Sequence, residues 1–273
     1  MILFKNILIP IDGSDDAEVA VKKAVELYEP FKTRVHLVYI IKSRVRFSLF
    51  QSSSDQLHRK AEILLGALRK LISENDGCGV TSSVMEESNP TYSLGSHILK
   101  HEIDLMIICR KKRVGFFSFQ VDEERIAKRT GCPALTITPG SLQHPVRSIL
   151  LPVDSLLPQR KIQLALAFAK KYNAKIHLVI AMNPGSANGR EYIDAFYIAY
   201  KMLKECGHTP QYKVLPGMDS LPSLLHYAED VNAGMILLQP EKRSSITSLI
   251  HKKVSGLISP LSALQVLTLQ PYI

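Results

Sequence analysis

The chain repeats itself. Lys5-Asn-Ile-Leu-Ile-Pro-Ile-Asp12 returns as Arg147-Ser-Ile-Leu-Leu-Pro-Val-Asp154, 142 residues later. Arg34-Val-His-Leu-Val38 returns as Lys175-Ile-His-Leu-Val179 at an offset of 141. Asp104-Leu-Met-Ile-Ile108 matches Ala233-Gly-Met-Ile-Leu237 at 129, and Ala134-Leu-Thr-Ile137 matches Val266-Leu-Thr-Leu269 at 132. A single β-rich run finds a match easily. Four in the same order, with the offset drifting only in the connecting segments, indicate a duplication. The repeat predicts two domains, 1–142 and 143–273, meeting near Gly140 to Pro145, each of ordinary domain size.

Each half alternates two periodicities. The runs at 5–11, 34–40, 80–85, 104–109 and 134–138 are short, apolar and rich in β-branched residues. They are bounded by Pro, Gly, Asp or charge, as strands buried on both faces should be. Between them, Ala17 to Tyr28 and Leu57 to Ile72 place apolar residues on a helical period, and Tyr92 to Lys100 and Glu123 to Thr130 complete the set. Ser14 or Asp15 is positioned to cap the first helix, with Glu18 as capping-box partner. Strand–helix alternation with short connections predicts an α/β fold: two tandem five-stranded parallel sheets covered by helices. Ligands of such sheets bind beyond the carboxyl ends of the strands, where the strand order reverses.

The order and these residues resemble the universal stress protein family in its tandem, two-domain form, a branch of the adenine-nucleotide α-hydrolase-like folds. The resemblance covers essentially the whole chain. It is carried by Ile7-Leu-Ile-Pro-Ile-Asp12-Gly-Ser14 before an Ala-rich helix, and by Arg125-Ile-Ala-Lys-Arg-Thr-Gly-Cys132-Pro133-Ala-Leu-Thr-Ile137 at the end of the first half. The second half is more divergent: Asp154 lacks a following Gly, and no Cys-Pro precedes its last strand. The resemblance implies strand order 3-2-1-4-5 in each half. It also implies an internal pseudo-dimer, because the family's last strand mediates dimer contact.

Family members that bind ATP carry Gly-x-x-Gly, nine residues, then Gly-Ser or Gly-Thr after the fourth strand. Such glycines let backbone N–H groups close around phosphates. Here the first half reads Cys109-Arg-Lys-Lys-Arg-Val-Gly115 and reaches the next helix through Asp122-Glu-Glu124, with no glycine between Gly115 and Gly131. The second half reads Leu238-Gln-Pro240-Glu-Lys-Arg with no glycine until Gly256, and Pro240 removes a backbone donor. Both loops are degenerate, so the expected cofactor is none.

By resemblance the nucleoside-facing positions are Asp12, Ile40 and Cys109. Asp12 has a plainer reading as the residue that holds the turn into the first helix. Arg110, Lys111, Lys112 and Arg113 could contact an anion by charge-assisted bonds, or could form a solvated loop. Net charge is +9, spread over both halves without a long basic tail, and a basic surface alone does not make nucleic acid a partner. His97 and His101 share a helical face, but no third ligand is recognisable and no metal is expected. His36 and His177 occupy equivalent positions and read as structural. Cys109 and Cys132 flank the last helix of the first half and read as buried thiols. With cysteines only at 78, 109, 132 and 206, no Cys-x-x-Cys pair exists.

The N-terminus reads as a first strand, and nowhere do 18 apolar residues run together. No Gly-x-Ser-x-Gly elbow, P-loop or dinucleotide fingerprint is present. These readings predict a cytoplasmic, non-catalytic stress-response protein acting through an unidentified protein partner, with a homodimer possible and no membrane insertion. The rivals are an ATP- or AMP-binding sensor using the first domain only, and a hydrolase or transferase of the wider superfamily.

Overall fold

β1 (Asn6–Ile11) lies at the centre of its sheet because it is apolar on both faces: Ile7, Leu8, Ile9 and Ile11 are all buried. It belongs to the first of two compact units, Met1–Pro139 and Gly140–Ile273, into which the computed structural model of the protein divides. Residues 4–13, 16–42, 51–74, 77–110, 121–153, 159–182, 189–216, 220–239 and 263–269 are described.

In the first unit β1 is followed by α1 (Asp16–Leu27), β2 (Arg34–Lys42), α2 (Gln51–Ser73), β3 (Gly79–Glu87), α3 (Pro90–Lys100), β4 (Leu105–Cys109), α4 (Glu123–Thr130) and β5 (Ala134–Ile137). The strands run parallel in the order β3-β2-β1-β4-β5. A 3-10 turn (Pro139–Leu142) begins on the last residue of the first unit, and the second unit continues with β6 (Ser148–Val153), α5 (Gln159–Tyr172), β7 (Lys175–Met182), α6 (Gly189–Glu205), β8 (Gln211–Pro216), α7 (Ser220–Asp230), β9 (Met235–Leu238) and β10 (Gln265–Thr268). Its order, β8-β7-β6-β9-β10, is the same topology, all parallel.

The duplication is readable in the cores. In the first unit Leu8, Val38, Leu94, Ile98, Ile103, Met106 and Ala134 cluster on one face of the sheet. In the second, Leu150, Val179, Leu224, Ala228, Ala233, Ile236 and Val266 cluster at the corresponding places. The ladders correct one offset. Ile7 pairs with Leu105 and Ile149 with Met235, so Leu105 corresponds to Met235 and the fourth strands repeat at 130, not 129. The shared Met-Ile pair suggested the shorter offset, but a one-residue slip would send every side chain of the strand to the wrong face.

α2 begins at Gln51, six residues before the first apolar residue expected to open it. A polar first turn carries no apolar period, so periodicity cannot see it. Ile9, Val38 and Ile107 are buried as expected, whereas Ile108 is only half-buried and packs at the margin of the core. α3 starts from Asn89, whose side chain accepts the Tyr92 N–H at 3.3 Å, with Pro90 at the first helical position, where its missing N–H costs nothing. α4 ends at Gly131 with φ 72°, the left-handed conformation that closes a helix without a Cβ penalty. The expected capping residues of α1, Ser14 and Asp15, lie outside the described residues.

Candidate functional site

The order of the first sheet reverses at β1, which runs between β2 and β4. The residues just past these three strand ends therefore share one edge, the place where parallel sheets take ligands. Asp12 follows β1 and is exposed. The register sets Ile11 beside Tyr39, and Ile40 is the next residue of β2. Cys109 ends β4 opposite Ile137 and is half-buried. Arg110 follows it, its N–H donating to the Ile137 carbonyl at 2.8 Å. The topology thus brings Asp12, Ile40, Cys109 and Arg110 to one edge. Lys111, Lys112 and Arg113 lie outside the described residues.

Three details of this edge escape sequence reasoning. Gly13 has φ 83°, and a Cβ built there would stand 2.6 Å from the Tyr39 hydroxyl, so the Asp12-Gly13 turn is moulded against Tyr39. Burial, and then the neighbouring Asp12 carboxylate, push the Tyr39 phenol above its ordinary pKa. Ile40 looks away from this contact: it is buried, and it joins the core cluster that holds Val121, with half-buried Met85 and Ile108 against it.

The third detail concerns Arg110. Its Nε donates to Glu123 Oε1 at 3.0 Å, and its Nη2 reaches both carboxylate oxygens. The Glu123 side chain is 7% exposed and that of Arg110 27%, so the pair is largely withdrawn from water. Next to it, Asp122 caps α4 by accepting the Arg125 N–H at 2.9 Å. A guanidinium that could hold an anion is held by the chain's own carboxylate, and a helix N-terminus that could hold an anion is occupied by another. The acid at 122–123 thus binds the very groups that would attract a phosphate.

α3 and α4 are fastened beside this edge. The Arg129 guanidinium lies 3.9 Å from the centre of the Tyr92 ring and donates to the Tyr92 carbonyl at 3.1 Å. Thr91 Oγ1 lies 3.4 Å from the Asp122 N–H. In the second unit Asp154, Pro240 and the segment 241–262 lie outside the described residues. Gln239 stands where the first unit has Cys109.

His97 and His101 do share a face, and His36 joins them from β2 at the opposite end of the sheet. Among the described residues, no group of three or more His, Cys, Asp or Glu side chains is arranged to hold a metal ion. Neither Cys109 nor Cys132 is in a disulfide; Cys132 is buried, and Cys109 only half-buried. No described helix is long and apolar enough to cross a membrane.

Comparison with known proteins agrees with this architecture. Residues 3–137 match the model of the universal stress protein family. A universal stress protein of Methanocaldococcus jannaschii is 24% identical over 142 residues, covering 50% of this chain and 82% of that protein. The crystal structure of a universal stress protein from Archaeoglobus fulgidus superposes over 98% of this chain and 96% of its own, with a TM-score of 0.73 at 13% identity. A Pseudomonas aeruginosa protein of unknown function covers 98% of this chain and 93% of its own, at 17% identity and a TM-score of 0.64. At these identities the structures speak for the fold, which extends through both units. Residues 3–137 are thus a domain of the universal stress protein family.

Proposed function

We propose that this protein works without catalysis, as a cytoplasmic stress-response protein that acts through contacts with a protein partner and whose nucleotide loops are degenerate. The observation that carries the reading is the internal pairing at the strand ends. Arg110 is taken by Glu123, and the first turn of α4 by Asp122. An incoming triphosphate would have to displace one carboxylate and approach the other, at a loop that lacks the family's glycines. Each amide bond lost to a charged group removes about 1.5–3 kcal/mol, so losing two weakens binding about a hundredfold or more.

Calorimetric titration of the full chain with ATP and magnesium tests the reading. The expected result is no saturable heat in the micromolar range, with no phosphate released on incubation. A micromolar dissociation constant abolished by Asp12→Ala would replace it with an ATP- or AMP-binding sensor working through the first unit. Phosphate release that depends on the same residue would replace it with a hydrolase.

A further inference from the structure

At the end of the first sheet remote from Asp12, three imidazoles meet. His36, the third residue of β2, faces the last turn of α3, where His97 and the capping residue His101 stand. The ring centres are 6.1 Å apart for His36 and His97, 5.5 Å for His36 and His101, and 4.2 Å for His97 and His101. His36 is 6% exposed. Its Nδ1 lies 3.1 Å from Thr81 Oγ1 of β3, while its Nε2 is buried without a hydrogen-bond partner, as is His97 Nε2.

A neutral imidazole can leave one nitrogen bare. An imidazolium has two N–H donors and needs an acceptor for each. The charges that bear on these rings are positive: Arg34 on β2, Lys100 on α3, and the other imidazoles. The adjoining side chains on this face of β1 and β4, Leu8 and Met106, are apolar. At the same end of the sheet the Asp104 carboxylate accepts the backbone N–H groups of Lys5 at 2.7 Å and Asn6 at 3.0 Å. Burial first, and then these neighbouring cations, hold His36 and His97 down at a pKa of about 4.

The repeat makes the cluster specific to the first unit. His177 on β7 corresponds to His36, and Tyr227 on α7 corresponds to His97, since Leu224 and Ala228 stand where Leu94 and Ile98 do. His177 Nδ1 lies 3.0 Å from the Tyr227 hydroxyl, with ring centres 5.9 Å apart. Val231 stands in the place of His101. The same strand–helix contact is thus made with three imidazoles in one unit and one in the other.

We propose that the cluster of His36, His97 and His101 is a proton-operated latch, which holds α3 on β2 while the buried rings of His36 and His97 are neutral and releases it when they are charged. The other end of α3 touches the candidate site through Thr91 and Tyr92, which contact Asp122 and Arg129. Release at the histidines therefore loosens the start of α4 and the edge that carries Arg110 and Glu123. The sign follows from the depressed folded values. Between about pH 6.5 and 4 the opened segment binds more protons than the closed one, so closure is favoured above this window and progressively lost as pH falls through it. For one imidazole lowered from 6.5 to about 4, the opening constant rises about twentyfold from pH 7 to pH 5.

Amide hydrogen exchange on the full chain, corrected for intrinsic rates, reads the latch. α7 serves as an internal control. From pH 7 to 5 the α3 amides should lose protection by about twentyfold or more, and by more than those of α7. His97→Tyr combined with His101→Val, which installs the second unit's residues, should bring the acid loss of α3 down to that of α7. Equal losses in α3 and α7 of the native chain would overturn the proposal, as would an undiminished loss in the double variant. Should that variant misfold, the imidazole proton resonances of the native chain still decide. Signals of His36 and His97 that stay neutral below pH 5 support the latch, and titration near 6.5 refutes it.

Discussion

If Glu123 is what withholds Arg110 from anions, the two side chains must be energetically coupled, and Glu123→Gln is the perturbation that shows it. Glutamine keeps the shape and one acceptor oxygen. It loses the negative charge and turns an N–H₂ toward a guanidinium that has only donors. Of the contacts from Nε and Nη2 to the two carboxylate oxygens, those to one oxygen are lost. A charge-assisted bond contributes about 1.5–3 kcal/mol net, and relief from carboxylate desolvation offsets part of this. The expected cost is therefore about 2 kcal/mol. Arg110→Met leaves the 7%-exposed carboxylate without its cation and should cost more, about 3 kcal/mol. The double variant restores neutrality and should cost less than the sum by about 1.5–3 kcal/mol. Urea denaturation followed by far-UV circular dichroism measures all three. Costs that add to within about 0.5 kcal/mol would show that the contact carries no energy and would remove the main support for a blocked site. A functional readout runs in parallel: the freed guanidinium should raise affinity for ATP about tenfold over the native chain, the equivalent of about 1.4 kcal/mol.

Ile107, fully buried in β4 opposite Leu135, should cost about 2–5 kcal/mol when truncated to Ala, read as a lower urea midpoint; an unchanged midpoint would contradict the strand. Gly13→Ala should destabilise the first unit by about 1–2 kcal/mol from its φ of 83° alone, with a further penalty from the Tyr39 hydroxyl 2.6 Å from the new Cβ. Tyr39→Phe should recover only that further penalty, and equal cost of Gly13→Ala in both backgrounds would show that the tyrosine is not what confines the turn.

The fold was legible because it is written in apolar spacing. Continuous runs such as Asn6–Ile11 and Leu105–Cys109 can be buried only between two helical layers, and their recurrence in order leaves little freedom for anything but two parallel sheets. What periodicity could not show was the polar start of α2 and the one-residue shift of the fourth repeat. The first has no apolar signature. The second depends on which residue of β9 bonds to β6, a matter of ladder register that a shared Met-Ile pair cannot decide.

The candidate site was half legible, and the division has a physical cause. Asp12, Ile40, Cys109 and Arg110 lie at strand ends, and strand ends follow from strand assignments. Their partners do not. Glu123 meets Arg110 across 13 positions of sequence, and His36 meets His97 and His101 across two secondary elements. Charged and titratable side chains are satisfied as readily by water as by one another, so no local pattern announces which will be withdrawn together. The duplication supplies the missing comparison. At core positions the two units exchange one apolar residue for another, as Ile98 for Ala228 or Met106 for Ile236, because packing tolerates only that. At the histidine contact the exchange is His97 for Tyr227, and at the strand end it is Cys109 for Gln239. The histidine exchange keeps the strand–helix contact while replacing an imidazole with a phenol, so it is not a packing repair. It marks the end of the sheet where the first unit differs from its copy in chemistry and not only in shape, which is where the pH dependence of α3 is to be sought.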